Sequence, residues 1–147
     1  MGYDLVSPTD PSLWAVYHDI RRIVLFERRG RFGVYDPDHP DEYKENHFPK
    51  LLLFDDKPVG VIRIDIEGPI ARFRRVAIDE RQQRRGHGRV LLRLSEDFSR
   101  EQLAEKVEAS VAADAVEFYR RTGYTALRVL DEAGSVRMAK ALIEGGD

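Results

Sequence analysis

The sequence predicts a mixed α/β domain in the order β-α-β-β-β-α-β-α-β-β, and three observations predict it. Residues 59–66 alternate, with Ile62, Ile64 and Ile66 facing one way and Arg63 and Asp65 the other, and a Glu67-Gly68-Pro69 turn leads into a hairpin partner at 70–78. Leu91, Leu94 and Phe98 recur at helical spacing just after a basic, glycine-containing segment. Downstream, a short helical stretch stops at Gly123 and is followed by two strand-like runs.

Taken in order, residues 3–7 read as a short strand. Ser12 is expected to cap a helix whose apolar positions run from Leu13 through Val16, Tyr17 and Ile20 to Val24, with Gly30 or Gly33 ending it. Residues 35–50 hold three prolines among polar residues and read as a loop or a short helix between turns. Leu51–Phe54 is an apolar strand, closed by the turn 55–58. After the 59–66 and 70–78 hairpin comes the helix that follows Gly88, then a strand at 106–112. Asp114 is expected to cap a helix over 115–121. Strands at 125–130 and 135–142 close the chain as a hairpin.

At 147 residues, with neither repeat nor linker, the chain is expected to form a single domain over 1–147. It contains no cysteine, which excludes a disulfide framework, a thiolate metal site and a cysteine nucleophile. No apolar run approaches the roughly 20 residues of a membrane span, and the first residues show no leader pattern, so a cytoplasmic location without membrane contact is the expectation. No metal is expected: His39-Pro40-Asp41 lacks ligand spacing.

The net charge of −2 hides a gradient. Residues 63–93 carry nine arginines and four acids, whereas the remainder carries 15 basic and 22 acidic residues. Arginine in such a block suits phosphate. At its centre Val76-Ala77-Ile78 is followed, after four residues, by Gln83-Arg84-Arg85-Gly86-His87-Gly88-Arg89. This is a strand joined to a helix by a basic loop, and a helix start offers unpaired N–H groups to an anion. Gly86 and Gly88 would let the backbone approach it closely. A dinucleotide fingerprint fails because position 91 is Leu91, and a Walker A loop fails because Gly88 is followed by Arg89-Val90.

Gln83, Gly86 and Gly88 fit Gln/Arg-x-x-Gly-x-Gly/Ala, and Ala115-Val116-Glu117-Phe118-Tyr119 through Gly123-Tyr124 fits Ala-x-x-Phe-Tyr-x-x-x-Gly-Phe/Tyr. Together they resemble the two signatures of the GNAT superfamily of acyl-CoA-dependent N-acetyltransferases, over about residues 51–140. The resemblance implies an α/β GNAT fold. Its central sheet is mixed and mostly antiparallel, with helices on both faces and a V-shaped splay between two parallel strands. It implies acetyl-CoA as co-substrate and transfer of its acetyl group to a primary amine of a small molecule or protein. Gln83, Arg84, Arg85, Gly86, His87, Gly88 and Arg89 would bind the cofactor, with the loop from Arg84 to Arg89 holding the CoA pyrophosphate. Val76, Ala77 and Ile78 would pair with the pantetheine, and an amide near Val76 or Ala77 would stabilise the oxyanion. Tyr119 would protonate the departing thiolate, with a packed aromatic beside Ala115 and Phe118 as the competing reading.

Two positions depart from the family pattern. Ala112 stands where an asparagine often bonds the pantetheine, and Arg72 stands where some members carry a glutamate base. Glu27, His39, Asp65 and Glu67 are then the candidate bases by chemistry, beside a water chain. Arg63, Arg72, Arg74 and Arg75 read either as solvated strand-face charges or, for Arg72 and Arg74, as the lining of an acceptor site that attracts an anion. A non-catalytic acyl-CoA-binding module is the alternative on the same fold. A nucleic-acid binder is disfavoured, because no aromatics interleave with the arginines and the remainder is acidic. The terminal hairpin offers a surface for a homodimer.

Overall fold

A computed structural model describes residues 2–143. Strands β1 (Tyr3–Val6), β2 (His47–Phe54), β3 (Lys57–Glu67) and β4 (Ile70–Ile78) pair antiparallel in that order. β4 then pairs in parallel with β5 (Lys106–Val111). Two further strands, β6 (Thr125–Val129) and β7 (Val136–Ala141), complete a seven-stranded sheet in the order β1-β2-β3-β4-β5-β7-β6. The β2–β3 hairpin closes through Asp55 and Asp56 at φ 49° and 69°, the left-handed pair that a tight two-residue turn requires and that Asp tolerates.

Helices cover both faces. α1 (Pro11–Arg21) buries Tyr17 and Ile20 against Leu51, Val61 and Ala77. α2 (His87–Glu101) buries Leu91 and Leu92 against the opposite face, on Ile62, Ile64 and Phe73, and α3 (Val116–Arg121) packs Phe118 and Tyr119 onto the same core. Burying each large apolar side chain contributes about 1.5–3 kcal/mol, so the two clusters fix which face each helix takes. None of the described helices is long and apolar enough to cross a membrane.

Several expectations need correction. The cap of α1 is Asp10, not Ser12: Asp10 Oδ1 accepts from the Leu13 amide at 2.9 Å, and Ser12 Oγ only supports it at 2.6 Å. Beyond Arg21 the helix loosens to a π turn (Arg22–Phe26) and a 3₁₀ turn (Glu27–Arg29), ending at Gly30 with φ 79°. β2 starts at His47, inside the segment read as a loop, and a 3₁₀ turn forms at Pro40–Tyr43. Pro49 is tolerated because β1 pairs only with Leu51–Phe54, so this half of β2 is an edge that needs no N–H on that side. Asp114 caps nothing: it lies within a 3₁₀ turn (Ala113–Ala115) that leads into α3 without a side-chain cap. Arg63, on the polar side of β3, is buried rather than solvated and is paired with the equally buried Asp65.

Candidate functional site

The site begins where the sheet opens. β4 and β5 are in register only from Ile70↔Lys106 to Phe73↔Ala109. Beyond that pair β4 runs on for five residues, Arg74–Ile78, with no ladder partner on its β5 side. The strand also bulges there. Val61 faces Ala77 and Arg63 faces Arg74, so Arg75 and Val76 together stand opposite the single Ile62. Arg75 takes φ 57°, a left-handed conformation that costs a non-glycine residue about 1–2 kcal/mol. The unpaired edge therefore carries Val76, Ala77 and Ile78, and the bulge re-aims the backbone just at its start.

The loop that follows β4 is braced from within. Asp79 Oδ1 accepts from the Arg81 amide at 3.0 Å, and the Gln83 side chain donates back to the Ile78 carbonyl at 3.1 Å. Arg84 sits at φ 64° and Gly86 at φ 86°, and Gly86 is the N-cap of α2 with no side chain closing the cap. The first amides of α2 thus stay open. Arg84, Arg85 and Arg89 are exposed, and none has an acidic partner among the described residues. Open amides and unneutralised guanidiniums at one helix start make an anion cradle.

The two glycines differ in purpose. A Cβ at Gly86 would meet open space, so φ is the constraint there. A Cβ at Gly88 would lie 3.0 Å from Cζ of Phe118, so the packing of α3 on α2 crowds any side chain at this position. His87 turns its imidazole inward: Nδ1 lies 2.7 Å from the Tyr3 hydroxyl, and the ring packs against Phe54. Burial, with Arg85 nearby, pulls its pKa below the ordinary histidine value. Only its backbone can serve the cradle.

Tyr119 is 6% exposed and lies edge-on to Phe118 and Tyr124. Its hydroxyl makes no hydrogen bond among the described residues. Burial alone raises its pKa above the ordinary phenol value. It stays protonated across the neutral range.

On the α1 side of the sheet a cavity of about 740 Å³ reaches the opening of the splay, lined there by Phe73, Arg74, Arg75, Ala109 and Ser110. None of the residues from Val76 to Arg89 lines it. Its wall is a web of ion pairs. Arg63 holds Asp65 with two bonds of 2.8 and 2.9 Å, and Arg74 adds a third at 2.9 Å. Arg72 bridges Glu67 at 2.9 Å and Glu108 at 3.0 Å. Arg21 pairs with Glu42, which also accepts from the Tyr17 hydroxyl at 2.6 Å. Burial would raise the Glu42 carboxyl, but Arg21 and these hydrogen bonds outweigh it and hold it below its usual value. Burial raises the neighbouring Tyr35 phenol to about 12.

Of the candidate bases, His39, Asp65 and Glu67 line this cavity, whereas Glu27 is paired to Arg22 and does not. Asp65 is saturated by arginine, Glu67 is held by Arg72, and His39 Nδ1 accepts from the Asp41 amide. Arg21, Arg31, Tyr35, Glu42 and His47 also line it. Sequence reasoning missed them because neither 35–50 nor the stretch around Arg21 and Arg31 carries a motif, and their contacts are long-range.

A family model described as an acetyltransferase (GNAT) domain matches residues 36–140. No curated protein sequence matches the chain. Among solved structures, an aminoglycoside 6′-N-acetyltransferase complexed with coenzyme A superposes with TM-score 0.83 at 16% identity, covering 100% of both chains. The aminoglycoside 6′-N-acetyltransferase from Enterococcus faecium gives 0.81 at 15% identity, again covering 100% of both. The ribosomal-protein-S18-alanine N-acetyltransferase from Escherichia coli gives 0.76 at 15% identity, covering 99% of this chain and 97% of that one. At such identities the likeness shows a shared fold.

Proposed function

The chain belongs to the GNAT acetyltransferase family, and from that premise we propose that it moves the acetyl group of acetyl-CoA onto a primary amine by direct attack, with residues 1–147 acting as one domain. One observation carries the reading. The ladder between β4 and β5 stops at Phe73↔Ala109, and the unpaired edge it leaves leads straight to the open start of α2.

On this reading the CoA pyrophosphate sits on the amides of Gly86, His87 and Gly88, with Arg84, Arg85 and Arg89 around it. Gln83 acts by bracing the loop against Ile78. The pantetheine amides pair with the free edge at Val76, Ala77 and Ile78, as an added strand would. The bulge directs an amide near Val76 at the thioester carbonyl oxygen. The amine nitrogen attacks the carbonyl carbon, the C–N bond forms and the C–S bond breaks. The nitrogen gives up one proton to water, and the thiolate takes one from the Tyr119 hydroxyl, which solvent replaces. The products are the amide and free CoA thiol.

Support for Tyr119 in this role is a hydroxyl that stays protonated and has no hydrogen-bond partner among the described residues. The test is thiol release from acetyl-CoA across an amine panel, alongside a calorimetric titration with CoA. Saturable CoA binding with amine-dependent thiol release is expected. Absence of CoA binding would refute the reading.

A further inference from the structure

The cavity at the mouth of the splay has a charge surplus that the acetyl donor does not explain. Eight side-chain cations line it against six carboxylates. Six of the cations are tied up in the ion pairs of the wall, including Lys44 to Asp41 and Arg137 to Glu108. Arg31 and Arg75 remain, each without an acidic partner among the described residues. The one unpaired carboxylate, Asp36, accepts from the Asp38 amide at 2.9 Å. Hydrogen-bond donors are in excess as well: the buried Nε atoms of Arg21 and Arg137 have no acceptor.

Arg31 and Arg75 reach the same aromatic ring from different elements. Their guanidinium carbons lie 4.8 and 5.4 Å from the centre of the same Phe26 ring. Arg75 is the bulge residue, next in sequence to Val76, and it is held there in the left-handed conformation. Burial and the like charges of Arg21, Arg63 and Arg31 all press its pKa downward. A guanidinium stays charged regardless, so these cations repel one another until an anion arrives. A strained backbone that holds an unneutralised arginine beside the reacting end of the cleft is costly, and costs of this kind persist where something binds.

We propose that the acceptor is an amine that itself carries an anionic oxygen group, a carboxylate or a phosphate, seated between Arg31 and Arg75. This rests on the acetyl-transfer reading above. It reassigns the anion attraction first suspected of Arg72 and Arg74, whose charges Glu67, Glu108 and Asp65 already neutralise. It also sets this cavity against polycationic acceptors, which would meet a net positive wall.

The test compares matched amines with acetyl-CoA on the full chain: alanine against alaninamide for the carboxylate, and glucosamine 6-phosphate against glucosamine for the phosphate. Kanamycin and spermidine serve as polycations. One anionic member is expected to exceed its uncharged partner at least tenfold in kcat/KM, and which pair responds separates the two chemistries. Arg31→Gln and Arg75→Gln should each raise KM for that amine about tenfold or more, the scale of a charge-assisted hydrogen bond, and in Arg31→Gln KM for acetyl-CoA should stay unchanged. Arg31 lies off the sheet, so its variant stands even where Arg75→Gln disturbs the bulge. Turnover of glucosamine or a polycation at equal or higher kcat/KM, or no turnover of any anionic amine while CoA binds, would overturn the proposal. Failure of CoA to bind in calorimetry identifies instead the collapse of the acetyl-transfer reading.

Discussion

Two arginine-rich regions lie at the two ends of the unpaired edge of β4, and they use the same side chain in opposite ways. At the α2 end, Arg84, Arg85 and Arg89 are exposed and unneutralised. At the cavity end, Arg21, Arg63, Arg72 and Arg74 are locked to Glu42, Asp65, Glu67 and Glu108. The first set leaves its charge open to solvent. The second builds the wall. Arginine count along the chain does not separate them; the carboxylates opposite do.

The comparison can be broken most severely at Asp65, which is 2% exposed and serves two arginines. Asp65→Ala strands the buried Arg63 guanidinium, and a loss of about 3–5 kcal/mol in urea unfolding is expected. Arg84→Gln, at the other end, should stay within about 0.5 kcal/mol of the parent. Equal losses would mean that the loop arginines are structural too.

Tyr119→Phe comes next. Its hydroxyl bonds nothing among the described residues, so the unfolding midpoint should hardly move while kcat falls on the order of 100-fold. An unchanged kcat would return Tyr119 to the core. Gly88→Ala should destabilise by about 1–3 kcal/mol through the Phe118 contact, the usual cost of overpacking. If CoA affinity falls instead while the unfolding midpoint holds, Gly88 serves the ligand directly.

Much of this was legible in the sequence, and the limits were physical. Strands β3 and β4 and the amphipathic α2 announce themselves through local periodicity, and so does the glycine-containing loop between them. The reason for Gly88 was not legible, because Phe118 reaches it from 30 residues away in sequence. The bulge at Arg75 depends on the register against β3, which no local pattern encodes. Nor could the sequence say which arginines are free. Arg21 finds Glu42 and Arg72 finds Glu108 only after the chain folds. Asp10 displaced Ser12 as a cap because its carboxylate reaches the Leu13 amide while Pro11 starts the helix.

The pH response separates the two regions more gently. Burial raises the phenols of Tyr17, Tyr119 and Tyr124 in the folded state. The stability they contribute is complete below the unfolded value of about 10 and is lost as pH climbs past it. Glu42 and Glu108, lowered in the folded state by their arginine and lysine partners, contribute stability that is lost as pH falls through their folded values, beneath the ordinary carboxylate range. Urea midpoints measured across pH should therefore form a plateau that drops at both ends. A midpoint that declines between pH 6 and 9 would contradict these assignments.

The most direct measurement is a calorimetric titration of CoA into the parent chain, the Arg84→Gln/Arg85→Gln variant and Arg74→Gln. The loop variant should bind about tenfold or more weakly, as expected for lost charge-assisted contacts to phosphate, and Arg74→Gln should bind like the parent. Equal affinity in all three, or a loss confined to Arg74→Gln, would contradict the placement of the cofactor at the start of α2.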